Sequence, residues 1–227
     1  DSLGLPDNNI TDIYRDSHNR LWVATVNGVC LYQANGNFKR VSINGNNKNI
    51  EKILEDKEGR IFLLTTTDLY QYDEKNNKAI TRLSKMVEKN CYNYSCHIDR
   101  RDVMWIVTSY SVKGYRTQDL KLIVQSPVQS YPIASFLLDG HQLYISGYNG
   151  MQLFDTDTRK WQHLPAALQG LQIPNDMVNG IHPYGAKGNL LLSTTKHGLL
   201  YFNAQKGTIL PQSDKNFPFE VPDMEVN

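Results

Sequence analysis

Asn27, Tyr110, Tyr148, Asn149 and His197 are the residues of this 227-residue chain best placed to do chemistry. Each stands in a short polar stretch between two apolar runs: VNG (26–28), TSYS (108–111), GYNG (147–150) and TKHG (195–198). Planar amides and aromatic faces suit a sugar, whose ring presents C–H groups on one side and hydroxyls around its edge. That is chemistry for holding a molecule, and these five are the candidate ligand-binding residues.

Bond-making chemistry has less to draw on. A hydrolase needs two carboxylates at a set separation, and Asp12 and Glu51 are the only acids in the first-strand cores, at offset positions and without a third partner. Asp155 and Asp157 lie in DTDT (155–158), which is turn chemistry. The histidines at 18, 97, 141, 163, 182 and 197 show no H-x-H or H-x-x-x-H spacing, so a metal site would have to be assembled across distant segments. No nucleophile elbow, Walker loop or dinucleotide fingerprint is present, and the glycines mark turns. We assign no catalytic residue, metal or cofactor. Cys30 reads as a small buried hydrophobe. Cys91 and Cys96 are close enough in sequence for a bridge, which the spacing leaves open.

Charge narrows the partners. Lys and Arg number 24 against 23 Asp and Glu, a formal charge of +1, so nothing draws the chain electrostatically to nucleic acid or an acidic membrane. No run approaches the roughly 20 apolar residues of a spanning helix.

The elements that must position the five candidates come from a repeat. The positions aligned with Leu21, namely Ile61, Met104, Leu143 and Leu190, recur every 39 to 47 residues, the period of a four-stranded propeller blade. The first unit predicts strands at 10–14, 21–25, 29–32 and 38–43, and the other four repeat that grammar, the third closing on a strand at 120–124. In each, the second strand is nearly continuous apolar sequence, as expected where sheets stack on both faces, with one bulky residue: Trp22, Phe62, Trp105, Tyr144, and Leu191 in the fifth. An Asp closing the first strand accepts turn N–H groups while Asn or Gly supplies positive φ, as in Asp16 with Asn19, Asp56 with Gly59 and Asp139 with Gly140. Thr or Ser at the end of the second strand can hydrogen-bond into the next turn. Helical turns are expected only near 84–90 and 166–169.

The fold class is therefore an all-β propeller of four-stranded antiparallel blades at about residues 5–45, 46–85, 90–127, 130–166 and 172–212. A further repeat starts at 217–227. Five units and a start predict a fragment of a larger ring, of seven blades.

The string LPDNNITDIYRD (5–16), followed by NRLWVAT (19–25), NGV (27–29) and Tyr32, resembles the two-component regulator propeller repeat. Its Pro-containing lead-in recurs as IPNDMV (173–178) and in outline as YPI (131–133), but not in the second and third units. That repeat is found in the periplasmic sensor regions of hybrid two-component histidine kinases of Bacteroidetes. The resemblance implies a non-enzymatic sensor or scaffold in the periplasm, detection of glycan-derived oligosaccharides, control of polysaccharide-utilisation genes, and a homodimeric parent whose neighbouring propeller blades pack on this one. The alternatives are a purely structural propeller that braces or dimerises, and a propeller glycosidase or lyase.

Overall fold

The structure, a computed structural model, describes residues 4–44, 48–86, 93–129, 131–171 and 176–220. Its elements are strands apart from one 3-10 turn at Ala166–Leu168. The chain divides into two compact units, residues 1–127 and 128–227.

The first unit holds three sheets. β1 (Ile10–Arg15), β2 (Leu21–Thr25), β3 (Gly28–Tyr32) and β4 (Phe38–Arg40) pair antiparallel in chain order, and β5 (Ser42–Ile43) leaves that sheet. β6 (Lys52–Glu55), β7 (Ile61–Leu64), β8 (Leu69–Asp73) and β9 (Lys78–Leu83) form the second sheet. β10 (Asn93–Ile98), β11 (Val103–Thr108), β12 (Ser111–Arg116) and β13 (Leu122–Pro127) form the third. The sheets stack through two cores. Trp22, Ala24 and Val29 of the first meet Ile53, Leu63 and Tyr70 of the second, and Phe62, Leu64 and Leu69 of the second meet Cys96, Met104 and Ile106 of the third.

In the second unit β14 (Pro132–Leu138), β15 (Gln142–Gly147), β16 (Gly150–Asp155) and β17 (Lys160–Gln162) make one sheet, and β18 (Val178–Pro183), β19 (Leu190–Thr194), β20 (Leu199–Asn203) and β21 (Thr208–Pro211) another. Tyr144 and Leu153 pack with Ile181, Leu192, Leu200 and Phe202 between them. A ring cluster edges the last sheet, where Tyr184 contacts Tyr201 and Phe219, and Phe217 contacts Phe219.

The expected aromatic positions are buried: Trp22, Phe62 and Trp105 are fully inaccessible and Tyr144 nearly so. The Asp turns explain two of them. Asp16 accepts from the backbone of His18 and Arg20 with one oxygen, and from Arg20 Nε and Trp22 Nε1 with the other. Asp99 repeats this with Arg101, Val103 and Trp105, and Asp56 with Glu58 and Arg60, where the Phe62 ring has no N–H to give. Asn19 and Gly59 hold the positive φ of 62° and 76° these turns need. Thr25, Thr65, Thr108 and Thr194 each donate a hydroxyl to the carbonyl three or four residues on and accept turn N–H groups, closing the β2–β3 type of turn in four blades.

Four expectations need correction. The strand expected at 38–43 breaks at Val41, whose buried side chain joins the first core while its N–H bonds Val29. Beyond it β5 pairs parallel with β9, Ser42 with Lys78 and Ile43 with Ala79, making the second sheet five-stranded. Asp139 is no buried turn acceptor: only three residues separate β14 from β15, so it sits inside the turn at φ 51°, exposed and paired with Lys187 at 3.6 Å. Leu191 is half-buried, because Leu190 and Leu192 face the core and β19 is covered on one side. The strand expected at 120–124 starts at Leu122, since Leu120 turns inward at φ 56°. Cys30 and Cys96 are buried free thiols; burial pushes the Cys30 thiol up to about 11, and raises Cys96 further. Cys91 lies outside the described residues, as does the repeat start beyond residue 220.

Candidate functional site

All five candidates stand in the turn joining the second to the third strand of a blade, and all are exposed. The turns exist because the Thr caps, with Gly28, Gly150 and Gly198 at positive φ, reverse the chain within two to four residues.

The side chains of Asn27 and His197 are tied to a carboxylate of their own blade's lead-in segment. The Asn27 amide donates to Asp7 Oδ2 at 2.5 Å, while Asp7 Oδ1 accepts the Asn9 N–H and the Asn9 carbonyl accepts Val26. His197 stands in the fifth blade where Asn27 stands in the first, and its Nδ1 lies 2.6 Å from Asp176 Oδ2. Asp176 is buried, and its other oxygen accepts the N–H groups of Met177 and Lys196 and the Thr195 hydroxyl. Burial pushes the Asp176 carboxyl up, but the His197 bond and the accompanying donors outweigh it and hold the group well below the usual carboxylate range. A carboxylate reaching from the lead-in segment thus pins the turn in both blades. The sequence shows only that the two segments repeat; their contact spans 20 and 21 residues and is not readable from local pattern.

Tyr110 and Tyr148 are half exposed, at 50% and 52%. Asn149 follows Tyr148, and a neighbour missed in the sequence joins them: Tyr131 is 49% exposed, and its carbonyl accepts the Tyr148 N–H at 3.3 Å. Two tyrosines and an amide therefore share one end of the fourth blade. Tyr131 belonged to the YPI lead-in, so the same logic that ties Asp7 to Asn27 could have found it.

In the first blade a cavity of about 370 Å³ opens beside Asn27, bounded by Pro6, Arg40, Ser42 and Asn77. Arg40 is committed there to the carbonyls of Gly4 and Leu5 at 3.2 and 3.0 Å. Among the described residues no group of three or more His, Cys, Asp or Glu gathers as metal ligands, and no helix is long and apolar enough to cross a membrane.

Comparison with curated protein sequences finds no match. Among solved structures, virginiamycin B lyase from Staphylococcus aureus superposes with a TM-score of 0.72 at 13% identity, over 96% of this chain and 72% of that one. The extracellular domain of BT4673, assigned to a hybrid two component system of B. thetaiotaomicron, gives 0.69 at 15% identity over 92% of this chain. The corresponding domain of BT3049 gives 0.66 at 16% identity, again over 92%. This chain spans only 28% and 30% of those two domains. Identities this low speak for the fold alone. The family described as two component regulator propeller matches residues 4–27, the lead-in, β1, β2 and the Asn27 turn. Residues 4–27 are thus similar to a two component regulator propeller repeat, and the chain around them shares the β-propeller fold of these structures.

Proposed function

We propose that this chain is the ligand-sensing or scaffolding propeller portion of a periplasmic sensor in a hybrid two-component histidine kinase, and that it responds to glycan-derived oligosaccharides. The repeat at residues 4–27 carries the reading. The exposed Tyr131, Tyr148 and Asn149 supply aromatic faces and a planar amide of the kind a sugar ring uses. Binding acts without bond-making: an oligosaccharide held more tightly by one arrangement of a homodimeric parent shifts the population toward that arrangement. Isothermal titration of the whole periplasmic region against an oligosaccharide panel tests this. Saturable heat from one glycan class supports it, and silence across the panel rejects sugar sensing.

A second reading rests on His197 and Asp176. A His held by a buried carboxylate at 2.6 Å is the pairing a general base needs, and one structural neighbour is a lyase. Against it, Asp176 is saturated by turn donors and His197 points from an exposed turn. A lyase reading predicts turnover that His197→Ala abolishes; the sensing reading predicts none in either protein.

A further inference from the structure

The fourth blade lacks an edge that the other four possess. In the first blade Val41 N–H bonds the Val29 carbonyl, one residue past the turn glycine. In the fifth, Gln212 N–H bonds Leu199 at the same place. The second and third blades reach it with the pairs Leu69–Leu83 and Val112–Ser126. In the fourth, β17 pairs with Leu153, Phe154 and Asp155, and among the described residues Gly150, Met151 and Gln152 meet no fourth strand. The cause lies in the chain beyond β17: Pro165 and the 3-10 turn draw it inward so that Leu168, fully buried, enters the core between the blades.

A groove of about 280 Å³ lies along this open edge, lined by Met151, Gln152, Trp161 and Gln162 with Gln129 and Gln169. None of its lining residues carries a carboxylate, ammonium or guanidinium group. The Gln129 N–H holds Gln152 Oε1 at 3.0 Å and fixes the amide's orientation, while Gln152 Nε2 has no hydrogen-bond partner among the described residues. A buried donor left unmet costs on the order of 1–3 kcal/mol, and a turn of the Gln152 side chain toward the groove would bring Nε2 to an acceptor there.

We propose that this groove binds an uncharged, extended peptide segment that pairs with Met151 as an added strand, completing the fourth blade's edge. The geometry favours a peptide over a saccharide because the missing partner is main chain: the Val29 and Leu199 carbonyls accept backbone N–H groups at this register, and Met151 occupies it here. The glutamine amides supply donors and acceptors to a neutral backbone, and apart from the His163 imidazole the lining offers no ionisable group to pair with a charged side chain. The site is independent of the proposed sugar site and lies on β16 and β17 rather than at the exposed tyrosines.

The chain's own edge strands provide the probes. Capped peptides of sequence LIVQSP (122–127) and TILPQS (208–213) are uncharged and come from strands that reach this register in the third and fifth blades. Titrated into the intact chain, at least one should bind saturably and slow amide exchange at residues 150–153. Gln162→Glu, at an exposed edge position, should weaken binding at least tenfold without moving the Tm, and Gln152→Met should abolish it. Absence of saturation with both peptides overturns the proposal. So does protection elsewhere, an unchanged affinity in Gln162→Glu, or protection of 150–153 by maltohexaose instead. Should Gln152→Met fail to fold, Gln162→Glu alone decides.

Discussion

The indole N–H of Trp22 donates to the buried carboxylate of Asp16 at 2.8 Å, six residues before it, and Trp105 does the same to Asp99 at 2.7 Å. The bond locks the first turn of a blade to the residue that fills the space between blades, so one spacing sets hairpin shape and sheet stacking together. Asp16→Ala leaves the indole and two turn N–H groups unmet and should cost about 3 kcal/mol. Asp56→Ala strips a turn whose aromatic is Phe62 and should cost less. Urea denaturation of the two variants checks the order; equal losses would show that the indole bond is not the larger contributor.

Asp176 makes the fifth blade acid-sensitive. Its folded pKa lies below its unfolded value of about 3.9, so its contribution is fully present above that pH and is lost as pH falls through the folded value. Asp176→Asn should therefore flatten the fall in urea midpoint between pH 5 and pH 2.5, and lower the midpoint at pH 7. An unchanged acid slope in the variant would remove Asp176 from the account.

Much of this was legible in the sequence because it is local. The strand starts, the buried aromatics, the Thr caps and the Asp16, Asp56 turns depend on residues within six positions of each other, and a period near 40 repeats them. Val41 was not legible as a crossing point, since its apolar side chain suits either a continued strand or a plug in the core, and the partner that pulls β5 away, β9, begins 36 residues beyond Ser42. Asp139 misled because its motif resembles Asp16 while its turn is two residues shorter. The candidate residues were recognisable as turn tips, but Asp7, Asp176 and Tyr131, which hold or flank them, approach from the lead-in segments.

Tyr148→Ala separates ligand contact from fold. The side chain is half exposed at a turn tip, so its loss should leave the Tm within about 2 °C, in line with surface changes of under 0.5 kcal/mol. If the aromatic end of the fourth blade holds the oligosaccharide, affinity should drop at least about tenfold, or 1.4 kcal/mol. Titration of Tyr148→Ala and Tyr131→Ala measures this, and unchanged affinity in both would favour the structural propeller, with ligand held elsewhere.

Asn77 joins the first two blades. Its amide donates to the Arg40 carbonyl at 2.9 Å and accepts from the Tyr72 hydroxyl at 3.1 Å, and its own carbonyl accepts the Ser42 N–H. It does this at φ 49°, a conformation Asn tolerates and Ala resists. Asn77→Ala should lose about 1–3 kcal/mol, and Asn77→Gly should lose less, because it relieves the backbone while still removing both side-chain bonds. Hydrogen exchange locates the damage: the amide of Ser42 should lose protection in both variants while Val23 and Ala24 keep theirs. Loss spread evenly over both sheets would mean that β5 folds with the whole unit, and that Asn77 is no separable clamp.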